Sequence, residues 1–573
     1  MLLAHTHLGK PQMRPLLLIS SACLLGTSVF AQTVPNAGSI LQEIERSQEQ
    51  PAPARKKSAE LISPPAELVS PGGLSVTVKE FHFDGNHLIS SEKLDAVLNS
   101  FRDRPLDFNG LNVAVAAVVQ AYQNAGWVVR AYLPEQDIQD GIVTIQIIES
   151  VFGGVHTIGE VKGRVSAEVV RQLFETQQKI GEPLSAEAIN RALLLADDLP
   201  GVTVSGSLRA GAKVGETDID LQLGDEPFVL GSVGADNTGS RSIGPYRETA
   251  NLNFNSPLEQ GDLENLNLMH SQGSNYVRAE VTLPVGYDGW RVGFNGSNMK
   301  YELVALQFSA LNAGGSSNTF GLSTTYPIIR ANATNLRLSL NVDKKAFDNY
   351  SSGATTTRYQ DDLISIGFDG NSFDGFSGGG SNNYNLSLVR GNLNLNGSPN
   401  QAADATTTHI QGDFVKARFG ASRQQMINDD LAFFGAISGQ WANKNLDSSE
   451  KFYLGGSNGV RAYPMNEGGG ADGGLLNLEL RYLWAPGVHL TGFYDYGHIK
   501  INPDNGFANA SPLNQYSLKG SGLSLEWRSD FGTNVKATWS RRIGSNPNPT
   551  ATGTDQDGSL TINRFWLTVE QLF

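Results

Sequence analysis

From residue 228 to the C-terminus, apolar and polar positions alternate with a period of two, in segments of roughly ten residues. Runs of Gly, Asn, Ser and Asp separate the segments. In 475–484, Leu476, Leu478, Leu480, Tyr482 and Trp484 share one face, and Asn477, Glu479 and Arg481 share the other. In 523–528, Leu523, Leu525 and Trp527 oppose Ser524, Glu526 and Arg528. Such strands also suit a soluble sandwich. Tryptophan and tyrosine at strand ends match the girdles of a membrane barrel better, with apolar side chains toward lipid and polar ones toward the lumen. Sixteen candidate strands begin near 228, 246, 262, 274, 290, 317, 333, 358, 382, 407, 428, 474, 488, 517, 532 and 563. An even number is what a closed bacterial barrel requires.

Upstream the period becomes helical. Residues 39–50 put Ile40, Leu41 and Ile44 on one face of a short helix, and 51–73 reads as a linker rich in proline and small residues. A short helix on a tether is marginal alone, so it is either a frayed tail or a plug that docks elsewhere. In 74–150, L-S-V-T-V-K-E-F-H-F alternates as a strand, and Leu94, Val97, Leu98 and Phe101 recur at helical spacing. A second helix runs through Val115–Tyr122 to a cap at Gly126, and V-V-R-A-Y-L-P and G-I-V-T-I-Q-I-I-E follow as strands. Residues 151–226 repeat that order, with helices at 166–177 and 185–197 and strands V-T-V-S-G-S-L-R and T-D-I-D-L-Q-L. A β-α-α-β-β unit twice in tandem is an internal repeat.

The composition narrows the function. A formal net charge of -14 argues against binding nucleic acid through its phosphates. Beyond the N-terminus no apolar run is long enough for a spanning helix. Residues 1–31 read as a secretory signal peptide: Arg14 is the positive flank, L-L-L-I-S-S-A-C-L-L-G the apolar core, and V-F-A at 29–31 the cleavage site. Met13 is an alternative start, and S-S-A-C around Cys23 admits a lipoprotein reading. Cys23 is the only cysteine, so the mature chain is expected to use no disulfide. G-G-S-N-G (Gly455–Gly459) and G-F-S-G-G (Gly375–Gly379) fit a hydrolase motif but precede no expected helix. F-D-G-N-S-F-D-G (368–375) lacks the closing acid of a calcium loop. The nine histidines are scattered, and there is no phosphate loop. No catalytic, cofactor or metal residue is expected, and the chain reads as no enzyme.

Two short motifs remain. V-R-A-Y at 460–463 lies in a glycine-rich stretch, S-N-G-V-R-A-Y-P-M-N-E-G-G-G-A-D-G-G. F-Y-D-Y-G at 493–497 lies in a strand whose parity turns Val488, Leu490, Tyr494 and Tyr496 to lipid and His489, Thr491, Phe493, Asp495 and Gly497 to the lumen. A carboxylate in a barrel wall belongs inside, because hydrocarbon penalises charge. On spacing alone, Arg461 and Asp495 read as two unconnected, solvated charges sooner than as a pair.

These motifs resemble V-R-G-[FY] and F-x-D-x-G of the barrel superfamily that contains two-partner secretion exporters and barrel-assembly proteins. The modules resemble polypeptide-transport-associated (POTRA) domains, and Y-L-P-E-Q-D-I followed by D-G-I-V-T-I-Q-I-I-E is close to the first such domain of the exporters. The chain is thus identified as a member of the two-partner secretion outer-membrane transporters. The resemblance implies a signal peptide (1–31), an N-terminal segment with a plug helix (32–50), a linker (51–73), two periplasmic domains (74–150 and 151–226) and a mainly β, 16-stranded transmembrane β-barrel (227–573). Hairpin 443–473 would fold inward, and Arg461 would pair with Asp495. Val460, Tyr463, Phe493 and Gly497 complete the motifs, and Glu479, also inward, can compete for Arg461. Ala462 stands where the family has glycine, which leaves the backbone there open. Gln136 and Asp137 are candidate client contacts, and the terminal Phe573 resembles an assembly signal. The implied partners are a secreted protein held extended during export, outer-membrane lipid, the barrel assembly machinery and periplasmic chaperones, with no nucleic acid. A barrel assembly factor and a passive porin are the competing readings. The former usually carries more modules and no plug, and the latter needs no modules.

Overall fold

The computed structural model describes residues 34–48, 75–138, 140–160 and 162–573. The expected signal peptide and linker lie outside the described residues. The N-terminal helix α1 (Ala37–Gln48) starts two residues earlier than its apolar spacing suggests. Asn36 explains the shift: its side chain accepts the Ser39 amide at 3.0 Å and caps the first turn.

The first module departs from the expected order. Where one strand was expected there are two, β1 (Ser75–Val78) and β2 (Glu80–Asp84), because the Lys79 amide turns aside to the Gly141 carbonyl at 2.8 Å. Helix α2 (Ser91–Leu98) is followed by an extra strand, β3 (Arg104–Asp107), which pairs with β1. Asp107 then accepts the Gly110 amide and caps α3 (Phe108–Asn124), and Gly126 takes the left-handed turn just beyond its end. Strands β4 (Val129–Tyr132) and β5 (Ile142–Glu149) complete a sheet in the order β2-β5-β4. Leu94, Leu98, Val118, Tyr122 and Ile145 form its core.

The second module is closer to expectation: β6 (Val151–Thr157), α4 (Ala167–Gln177), α5 (Ala186–Asp197), β7 (Thr203–Ala210) and β8 (Glu216–Gly224). Ser166 and Ser185 cap the two helices. The sheet order is β6-β8-β7, with β6 parallel to β8. This module abuts the barrel turns. Arg330 makes a two-pronged contact with Asp198 at 2.6 and 2.7 Å, and Arg191 donates to the Pro327 carbonyl at 2.8 Å.

The barrel begins with β9 (Val229–Asp236), β10 (Arg247–Asn255), β11 (Leu263–Ser271), β12 (Ser274–Val285), β13 (Trp290–Glu302) and β14 (Gly314–Arg330). It continues with β15 (Thr334–Ser351), β16 (Ala354–Asp374), β17 (Gly380–Asn394), β18 (Gly412–Met426) and β19 (Leu431–Ala442). Two short strands, β20 (Phe452–Tyr453) and β21 (Gly469–Gly470), pair within the following hairpin. The wall resumes with β22 (Asp472–Ala485), β23 (Val488–Lys500), β24 (Gln515–Arg528), β25 (Thr533–Arg542) and β26 (Asn563–Leu572). Each wall strand pairs antiparallel with its neighbour, and β26 pairs back on β9, closing sixteen strands. Closure satisfies the backbone polar groups inside the wall, which a hydrocarbon surrounding demands. The starts follow the alternation closely; the main offset is at 407, where Thr406–His409 turn and the strand begins at Gly412.

Leu340, Val342, Ile364, Ile366, Leu523 and Leu525 are exposed on the outer face. Helix α1 lies inside the barrel. Ile40, Leu41 and Ile44 pack with Met299, Tyr301, Phe347 and Tyr359 of the inner wall. Of the two sequence readings of this segment, frayed tail or docked helix, the fold has the docked one.

Candidate functional site

The hairpin between β19 and β22 folds back into the barrel and brings its tip to β22 and β23. Arg461 donates from Nη2 to Asp495 Oδ1 at 2.6 Å and from Nε to Oδ2 at 2.9 Å. Its own amide reaches Oδ2 at 3.0 Å, and Asn477 Nδ2 reaches Oδ1 at 2.7 Å. The four acceptor positions of the carboxylate are thus filled. The Asp495 side chain is 0% exposed and that of Arg461 8%. Phe493 lies flat beneath the guanidinium, 3.5 Å from ring centroid to Cζ. Burial works against the charge on Arg461, but Asp495 and Glu479 together outweigh it and hold its pKa above the ordinary value.

Glu479 is a third member of the cluster rather than a competitor. Arg461 Nη1 donates to it at 2.8 Å while the other two nitrogens hold Asp495, and Arg481 Nε donates to its other oxygen at 2.8 Å. A planar guanidinium with five donors serves both carboxylates at once. Val460 and Tyr463 are buried beside it, and the Arg542 guanidinium stacks over the Tyr463 ring at 4.3 Å.

Ala462 does not need the conformational freedom of glycine, because its φ is not positive. The room for its methyl group comes from the wall. A Cβ at Gly520 of β24 would sit 2.6 Å from the Ala462 Cβ, and one at Gly497 would sit 2.8 Å from Leu454. Two further residues escaped the sequence reading. Ser540 Oγ and Trp566 Nε1 donate to the Arg461 carbonyl at 2.7 and 2.8 Å. The period-two pattern around Trp566 was the available signal: Phe565 and Leu567 are exposed, so the tryptophan between them turns inward.

The hairpin has a second anchor nearer its start. Lys416 Nζ donates to the Glu450 carbonyl at 3.0 Å, and Lys345 Nζ to Glu450 Oε1 at 3.2 Å. The hairpin also holds α1: Asn466 Nδ2 donates to Glu43 at 2.8 Å, and Ser448 Oγ to Asn36 at 2.7 Å.

Elsewhere, the Gln136 amide exchanges two hydrogen bonds with the Thr144 main chain, at 2.8 and 2.7 Å, which ties its segment to β5. Asp137 is exposed beside it. The Phe573 amide and carbonyl pair with Gly231, so the last residue helps close the seam to β9. Gly455–Gly459 lies in the hairpin and Gly375–Gly379 in the turn between β16 and β17, neither at a strand-to-helix elbow.

The sequence model of the family described as haemolysin secretion/activation protein ShlB/FhaC/HecB matches residues 215–526. The chain belongs to this family. The model for the POTRA domain of ShlB type matches residues 76–150. The heme/hemopexin transporter protein HuxB of Haemophilus influenzae is 27% identical over 535 residues, 90% of this chain and 93% of its own. The outer membrane transporter CdiB of Escherichia coli is 24% identical over 497 residues, 82% and 81% of the two chains. The solved structure of CdiB from Escherichia coli superposes with a TM-score of 0.70 at 21% identity, covering 95% of this chain and 100% of that one. BamA from Haemophilus ducreyi shares the fold at a TM-score of 0.52, with 16% identity, 87% of this chain and all of that one. The chain is therefore an outer-membrane transporter of two-partner secretion, which acts with a secreted partner protein and carries its N-terminal modules in the periplasm. Members of this family are transporters.

With the orientation known, α1 can be read electrostatically. Burial is the largest influence on Glu43 and pushes its carboxyl up to about 7, against Arg247 of β10, the Ser240 amide, Arg46 and Asn466. Its ordinary value is 4.5. A docked pKa above the free one means that docking takes up a proton. That contribution is fully present below the free pKa and is lost as pH rises through about 7. Channel conductance in planar bilayers is expected to rise between about pH 5 and about pH 8, and Glu43→Gln to flatten the rise. An equally steep rise in the Glu43→Gln protein would remove this carboxyl as the cause.

Proposed function

We propose that this transporter exports an extended partner protein through its barrel lumen, with α1 as a removable plug and the hairpin as a fixed internal wall. The observation that carries the reading is the occupation of the lumen. Among the described residues α1 is held by packing, by hydrogen bonds that involve side chains and by the Lys345–Glu45 ion pair, none of them part of the barrel ladder, so it can leave without breaking the barrel. The periplasmic modules catch the client. In the first module, β2 pairs among the described residues with β5 alone and leaves its other edge open to an added strand, which binds through main-chain hydrogen bonds. The client is an adhesin, a haemolysin or a contact toxin. The sequence holds no phosphate loop, and direction comes from folding of the client outside the cell. The chain performs no catalysis. Periplasmic chaperones and the barrel assembly machinery deliver it to the outer-membrane lipid after removal of residues 1–31, and Phe573 is the residue that the machinery reads.

Deleting 75–149 tests the reading. The remaining barrel is expected to fold and stay heat-modifiable, because its hydrogen bonds close on themselves, while capture of the secreted partner in a pull-down is lost. Undiminished capture would contradict the assignment of client recognition to this module.

A further inference from the structure

Charge is spread unevenly over the outer face of the barrel. On β15–β18, outward cations near the extracellular rim meet acids on the neighbouring strand. Lys344 stands 3.8 Å from Asp362, Arg358 2.6 Å from Asp348 and Arg390 3.3 Å from Asp413. That arc supplies its own counter-charge. The arc of β23–β25 does not. Lys519 of β24 and Arg541 of β25 share the outward parity of Leu523, Leu525 and Trp539, and both are exposed. Register sets Arg541 opposite Ser521, so it is a diagonal neighbour of Lys519 on the same face. Neither cation makes an ion pair among the described residues. The outward carboxylate of β22, Asp472, stands in register with Lys500, further out along the wall.

The height of the two cations on the wall indicates what can pair with them. On the periplasmic side of them the face is apolar: Leu523, Trp539, Phe565 and Leu567 are exposed, as suits hydrocarbon. On the extracellular side it is polar: Ser517 Oγ lies 3.1 Å from Tyr496 Oη and 3.0 Å from His498 Nδ1. Lys519 and Arg541 mark the boundary, and the Lys519 ammonium lies 5.8 Å from the centroid of the Tyr496 ring. A charge on the lipid face is costly at mid-membrane and tolerated at the interface, where long cationic side chains reach the headgroup layer. Counter-charge at that height comes from the headgroups themselves. A guanidinium fits a phosphate through two parallel hydrogen bonds, and an ammonium beside it adds a compact charge. With a net charge of -14 the chain as a whole repels anions, so the attraction at this arc is local. The apolar rings directly below favour a phosphate that carries acyl chains over one that is free in solution.

We propose that the outward face of β23–β25 binds a phosphorylated lipid of the outer leaflet, of the lipid A kind. Its phosphate sits on Lys519 and Arg541, and its acyl chains lie along Leu523, Trp539 and Phe565. The β15–β18 arc offers no equivalent site, because its cations are already neutralised. The site is independent of the export reading above, since it lies on the outside of the wall.

The test uses the full-length transporter in dodecyl maltoside, with fluorescent lipid A as the probe. Lys519→Gln with Arg541→Gln is expected to weaken binding several-fold, whereas Lys344→Gln with Arg358→Gln is expected to leave it unchanged. Ser521→Asp keeps both cations but sets a carboxylate opposite Arg541, and it too is expected to weaken binding. Each variant is checked for heat-modifiability, so that a misfolded barrel is not scored. Lipid A stripped of its phosphates is expected to bind the unaltered protein several-fold more weakly, a comparison that does not depend on how any variant folds. Inorganic phosphate in large excess is expected not to displace the probe. Undiminished binding after the Lys519 and Arg541 substitutions, an equal loss after those at Lys344 and Arg358, or indifference to the lipid phosphates would overturn the site. Displacement by inorganic phosphate would overturn the lipid as its occupant.

Discussion

Replacing Arg461 with alanine is expected to cripple secretion while the protein still reaches the outer membrane. The variant leaves Asp495 buried with only Asn477 and the residue-461 amide as donors. Removing one partner of a buried pair costs about 3–5 kcal/mol, because the other charge is stranded. Were the pair exposed, the cost would fall to about 1 kcal/mol or less, but side-chain exposures of 8% and 0% place it in the first regime. Asp495→Ala should be damaging but milder, since Arg461 keeps Glu479 and the Phe493 ring. Glu479→Ala should be milder still, because Arg461 retains both contacts to Asp495. The double variant Arg461→Ala with Asp495→Ala is expected to do less harm than the sum of the singles, as neither charge is then left alone. Arg461→Lys should rescue only in part, since an ammonium cannot make the two-pronged contact. The readouts are secretion and protease protection of the hairpin. Strict additivity of the two defects would show that the residues act independently.

Deleting 37–48 is expected to turn a nearly closed channel into an open one in planar bilayers, while secretion largely survives. The apolar face of α1 seals against Met299, Tyr301, Phe347 and Tyr359, and its polar face is held by Asn466, Ser448 and Arg247. None of these contacts is part of the barrel ladder, so the wall should remain intact without them. Secretion survives because the client needs the helix out of its way. Conductance equal to that of the intact protein would mean that something other than α1 closes the lumen.

The two predictions draw on information of different origin. Strand positions and faces were legible in the chain itself, because consecutive side chains of a strand must point to opposite sides. That rule placed Asp495, Glu479 and Asn477 on the inner face without any knowledge of the fold. The family motifs then singled out Arg461. The turn signals were equally local: Gly126 ended α3 where expected, whereas the capping role of Asn36 was missed and the start of α1 with it.

What the pattern could not supply was the meeting of residues far apart in the chain. Trp566 and Ser540 reach the Arg461 carbonyl only because the barrel closes and the hairpin bends inward. The tolerance of Ala462 is set by Gly520 on another strand. Glu479 reads as a rival to Asp495 in sequence, and only the orientation of the guanidinium plane makes both partners of the same arginine. The pairing of β1 with β3 and the docking of α1 on the wall are likewise long-range. Alternation is a property of backbone geometry and is written locally, so the sequence by itself determined the strands, their faces and the inward charges. Contact across a lumen depends on barrel closure and on the path of one loop, which involve the whole chain at once, and these only the tertiary structure decided.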